Sequence, residues 1–112
     1  MKPNRHDTAS QRKRNEDALF AAVNRLQNVS EYRNFFKDLC TPAELQALVD
    51  RWQVVGLLQQ DLPYRRIHDI TRVSVTTIGR VARSLSDGFG GYATAIGHGN
   101  AQHPPRKKST SN

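Results

Sequence analysis

Residues 64–85 read YRRIHDITRVSVTTIGRVARSL, and the fold turns on this stretch: one interrupted helix, or two helices around a tight turn. "YRRIHDIT" and "SVTTIGRVARSL" each keep helical spacing, and only "RV" separates them. At 100° per residue, Val75, Ile78, Val81, Ala82 and Leu85 share a sector of about 120°. Thr76, Thr77, Gly79, Arg80, Arg83 and Ser84 take the other side, with no acid among them. Ser74 is a good N-cap, and the N–H groups at the start of its helix can meet a phosphate. A threonine offers a hydroxyl and a methyl, and an arginine binds guanine O6 and N7 or a phosphate. Arg65 and Arg66, at the start of the first helix, are placed to clamp a nucleic-acid backbone on one flank. The plainer alternative is a capped amphipathic helix with its arginines in solvent; the missing acids favour the first reading.

Upstream, "TPAE" at 41–44 is the strongest helix start in the chain. Thr41 is the N-cap, Pro42 sits at N1 where its missing N–H costs nothing, and Glu44 at N3 completes a capping box. The helix that follows carries Leu45, Leu48, Val49, Trp52, Val55 and Leu58 on one wide apolar face, expected to be core, and "DLP" at 61–63 stops it. Before it, Leu19, Phe20, Val23 and Leu26 predict a helix over about 12–29. Ser30 is then a candidate cap for a short helix with Tyr32, Phe35, Phe36 and Leu39 on one face. After Leu85 the pattern fails: residues 88–99 hold five of the seven glycines, and "HPPRKKSTSN" is a low-complexity basic end. Phe89, Tyr92 and Ile96 are positioned to dock one short segment. No alternating pattern is found, so the chain reads as all-α. Its expected organisation is a disordered basic arm at 1–11, a helical domain at 12–97 with its helix-turn-helix at 64–85, and a disordered basic tail at 98–112.

Composition bounds the function. The 112 residues are enough for one small domain, and the net charge of +7 is unevenly spread. Residues 16–61 are acidic on balance, whereas 1–15, 62–87 and 88–112 are each basic. That distribution suits a scaffold with a polyanion-binding unit and two basic arms. There is no apolar run long enough for a membrane span and no secretory signal, and Cys40 stands alone. A cytosolic, reduced location is the expectation. His98 and His103 lack the further ligands a metal site needs, so no metal is expected. No nucleophile–base–acid set or phosphate-binding glycine loop appears, and enzyme activity is not expected.

"TPAELQALVDRWQVVGLL" followed by "YRRIHDITRVSVTTIGRVARSL" resembles the Trp-repressor superfamily, closest to its YerC/YecD branch of Trp-repressor-like proteins. The resemblance covers roughly residues 17–93. It implies an all-helical, intertwined homodimer in a bacterial cytoplasm, on the nucleoid when bound. It further implies two reading helices in successive major grooves of a pseudo-palindromic operator. Carried over, Val75, Thr76, Thr77, Gly79 and Arg80 match base-facing or groove-lining positions, and Arg65 matches one near the DNA backbone. In tryptophan-binding members the ligand carboxylate is held by an arginine where Arg51 stands. A second arginine packs on the indole, matched by Arg80; Ser84 matches the serine that meets the amino group, and Thr41 would come from the partner chain. Three residues depart from the pattern. Val81 replaces a glycine and should occupy space that an indole needs. Arg72 replaces the turn glycine at a position expected to have positive φ, and His68 replaces a small residue between the helices.

Together these readings point to a homodimeric, sequence-specific transcriptional regulator of double-stranded DNA, a repressor rather than an activator, that needs no tryptophan or other corepressor. The alternatives are a helical protein-interaction module, a non-specific architectural nucleic-acid binder, or an amino-acid-responsive aporepressor. Arg51 is then expected to make an intersubunit salt bridge or to hold another small anion.

Overall fold

The computed structural model describes residues 8–102, with side chains as far as Gly99. His6 and most of the N-terminal arm, and His103, Arg106, Lys107 and Lys108 of the tail, lie outside the described residues. The described residues form six α-helices and no strand: α1 Ala9–Asn24, α2 Val29–Leu39, α3 Pro42–Gln59, α4 Tyr64–Thr71, α5 Val75–Asp87 and α6 Gly91–Gln102. None of the helices is long and apolar enough to cross a membrane. The chain divides into two compact units between Leu45 and Gln46.

In the first unit, α1 starts earlier than its apolar spacing suggests. Thr8 and Gln11 form a reciprocal capping box, Gln11 N–H to Thr8 Oγ1 at 3.1 Å and Thr8 N–H to Gln11 Oε1 at 2.7 Å. That box nucleates the helix ahead of the first apolar residue. The cap of α2 is Asn28, not Ser30: Asn28 Oδ1 accepts from Glu31 N–H at 2.9 Å. From Asn28 the N3 residue is Glu31, whose carboxylate also accepts from Gln27 N–H at 2.8 Å. A cap at Ser30 would put Arg33 at N3 and forgo that second bond. No side chain of α1 or α2 is fully buried. Phe20, Val29, Tyr32 and Leu39 are exposed, and the free thiol of Cys40 is half-buried. The expected box at the start of α3 forms, with Glu44 N–H on Thr41 Oγ1 at 3.1 Å and Thr41 N–H on Glu44 Oε1 at 2.8 Å.

The core lies in the second unit. Val54 and Val55 of α3, Ile67 of α4, Val73 of the turn, and Ile78 and Val81 of α5 are buried. Leu57, Leu58, Leu62, Leu85, Tyr92 and Ile96 pack around them. Only part of the apolar face expected on α3 is core. Leu48, Val49 and Trp52 are exposed, while Val54, which lies off that face, is fully buried. At 100° per residue, buried Val54 and Val55 with half-buried Leu58 are turned roughly 120° from Leu48, Val49 and Trp52. The helix is thus apolar on two sides, and its own unit covers one. "DLP" does end α3. Asp61 takes φ 60°, its N–H reaches Leu58 O at 2.9 Å, and Leu62 N–H reaches Leu57 O at 3.4 Å. These are the two bonds of a Schellman closure.

The glycine-rich segment is helical, against the expectation of a tail from residue 98. Tyr92 and Ile96, four residues apart, pack on the core, and that burial overrides the poor propensity of Gly97 and Gly99. Phe89 does not dock; it is fully exposed. Gly88 ends α5 where a Cβ would collide with the Ser84 carbonyl.

Candidate nucleic-acid interface

Between α4 and α5 the chain turns through Arg72, Val73 and Ser74 only. Arg72 takes φ 68°, ψ 8°, the left-handed conformation expected of the glycine it replaces, at a cost of roughly 1 kcal/mol. Neighbouring side chains hold it there. Arg72 N–H donates to His68 O at 2.7 Å. The Thr71 hydroxyl donates to Ile67 O at 2.8 Å and accepts from Val73 N–H at 3.0 Å. His68 Nδ1 donates to Val73 O at 2.8 Å. His68 thus staples the end of α4 to the turn. Val73, buried, plugs the turn into the core.

Ser74 caps α5 as expected, accepting from Thr77 N–H at 3.1 Å. Its own hydroxyl donates to Thr77 Oγ1 at 3.1 Å, so half-buried Thr77 faces the cap. Ile78 and Val81 go inward, with Ala82 and Leu85 half-buried beside them. Val75, which shares their apolar sector, is exposed at the helix start. Thr76, Arg80, Arg83 and Ser84 are exposed and Gly79 half-exposed. No carboxylate occurs from Val75 to Ser86. Neither Arg80 nor Arg83 forms an ion pair with another described residue.

Arg65 and Arg66 are exposed on the first turn of α4. Its N-cap is Pro63, and no side chain caps the helix. The first-turn N–H groups are left to solvent or to an external acceptor. Tyr64, which periodicity alone does not single out, is partly exposed there, with its ring against Gly79.

On the opposite flank of α5, Arg51, Thr77, Arg80, Val81, Ser84 and Tyr92 line a cavity of about 360 Å³. Four of the residues expected in a ligand pocket therefore converge: Arg51, Arg80, Val81 and Ser84. Thr41, the fifth, belongs to the other unit and caps α3. Tyr92 is a wall that spacing could not reveal, because α6 was legible only as a failing pattern; its ring lies 6.1 Å from that of Trp52. No cluster of metal ligands occurs among the described residues.

Comparison with known proteins agrees with this architecture. The profile of the Trp repressor protein family matches residues 14–99. An uncharacterized protein of Bacillus subtilis, YerC, is 38% identical over 80 residues, which are 71% of this chain and 77% of that one. The crystal structure of a TrpR-like protein from Eubacterium eligens superposes with a TM-score of 0.71 at 32% identity, covering 80% of this chain and 91% of that one. A Staphylococcus aureus crystal structure gives 0.74 at 34% identity, covering 84% and 96%. The family is one of regulatory DNA-binding proteins and not of enzymes. With the profile, the sequence of a relative and the fold of solved structures all matched in one chain, this protein belongs to the Trp-repressor family.

Proposed function

We propose that the protein is a homodimeric repressor that reads a pseudo-palindromic operator through α4 and α5 and needs no tryptophan. The observation that carries the reading is the exposed face of α5. Thr76, Gly79, Arg80 and Arg83 stand together, with Asp87 at the helix end the one acid on their side, on a helix joined to its neighbour by the stapled turn. α5 is then the reading helix in the major groove, with Arg80 donating to guanine or phosphate. Arg65, Arg66 and the uncapped start of α4 would meet the backbone on one flank.

Dimerisation is supported by what each unit leaves uncovered. Phe20, Tyr32 and Leu39 in the first, and Leu48, Val49 and Trp52 in the second, are large apolar side chains in solvent. Large apolar side chains left in solvent on neighbouring turns of a helix mark an interaction surface, and a second copy can cover them. A two-fold dimer would place its reading helices about 34 Å apart, one turn of DNA. Independence from tryptophan is supported by Val81, whose branched side chain stands in the cavity wall and in the core at once.

The test is selection from a random duplex pool at physiological salt, followed by footprinting. Protection of a discrete palindrome is expected. Salt-sensitive binding to any duplex would instead indicate an architectural role, and no DNA binding would leave a protein-interaction module.

A further inference from the structure

Gly79 lies in the middle of α5, where glycine costs about 1 kcal/mol relative to alanine. Nothing inside the chain requires it. A Cβ there would lie 3.7 Å from Arg83 Nη1 and 3.9 Å from Tyr64 Cε2, both ordinary contacts, and its backbone is not in the positive-φ region. Gly56, in α3, is equally unforced, with nothing within 4 Å of its missing Cβ. An unforced glycine is therefore not evidence by itself. What sets Gly79 apart is its surroundings: three turns of helix without a carboxylate before Asp87 at its end, a guanidinium on one side, and on the other the ring carbon next to the one bearing the Tyr64 hydroxyl.

We infer that Gly79 forms a notch for a DNA backbone phosphodiester, walled by Arg83 and Tyr64, and that these two supply its hydrogen-bond donors. The chemistry fits that ligand class. A guanidinium and a phenol O–H are both phosphate donors, and a Cβ would hold the strand off by about the radius of a methyl group. Tyr64 and Arg83 then position the helix without reading sequence, in contrast to Arg80. This rests on the DNA-binding reading above.

The test measures G79A, Y64F, R83A and G56A against the operator selected by the wild type and against an unrelated duplex, with thermal melting of each protein. G79A should melt higher than wild type yet bind both duplexes about tenfold more weakly, by the same factor. Y64F should lose several-fold on both, and R83A should also reduce the salt slope by about 1. G56A should melt higher and bind as wild type does. The inference is overturned if G79A binds normally, if its loss is confined to the operator, or if it melts lower. Those outcomes leave the DNA-binding reading standing; a wild type that binds neither duplex removes both.

Discussion

Arg80 stands at a boundary: its neighbours on one side are the exposed residues of α5, and on the other the cavity it shares with Arg51 and Ser84. If it reads a guanine, R80A should cost about 1–3 kcal/mol on the selected operator and flatten the preference at one base pair. Competition gel shifts against single-base variants check this. Val81 carries the second expectation at this scale. Its side chain is 1% exposed and cannot swing aside without opening the core. Titration with L-tryptophan in a calorimeter should give no saturable heat; micromolar binding would show that the cavity accepts an indole despite the valine.

At the scale of elements, the short turn between α4 and α5 stores strain. R72G should stabilise the chain by roughly 1 kcal/mol, read from urea or thermal unfolding, because the left-handed conformation costs glycine little. An unchanged midpoint would mean that the freedom glycine gives the unfolded chain cancels the strain it relieves. α6 alters the design of a tail experiment. Because the helix runs to Gln102, a truncation must begin at His103 to leave it whole. Removing 103–112, with Arg106, Lys107 and Lys108, should flatten the salt dependence of DNA binding by up to about 3 in the log–log slope. An unchanged slope would show that the tail does not touch DNA.

For the whole molecule, the decisive quantity is mass in solution. Sedimentation should give twice the 12.6 kDa of the chain. Placing a charge on the uncovered side of α3, as in V49D or W52D, should yield monomers with much weaker operator binding. Loss of dimer with full DNA affinity would refute the two-fold reading. The exposed Phe20 and Leu39 of the first unit give an independent pair of sites for the same measurement.

Local signals in this sequence determined local structure. The capping box at Thr41 and Glu44, the Ser74 cap and the stop at "DLP" form as their residues predict, because each depends on atoms within a few positions along the chain. The two sides of α5 were legible for the same reason, since helical geometry alone separates Ile78 and Val81 from Thr76 and Arg83. The cap of α2 fell two residues before the expected Ser30, at Asn28, because only from there does Glu31 reach N3 and accept from Gln27 N–H. The division of α3 into a covered and an uncovered side, the helicity of a glycine-rich α6, the cavity wall at Tyr92 and the closeness of Tyr64 to Gly79 were decided only by tertiary structure. Each depends on residues far apart in the chain burying surface against one another, and periodicity carries no information about which elements will meet.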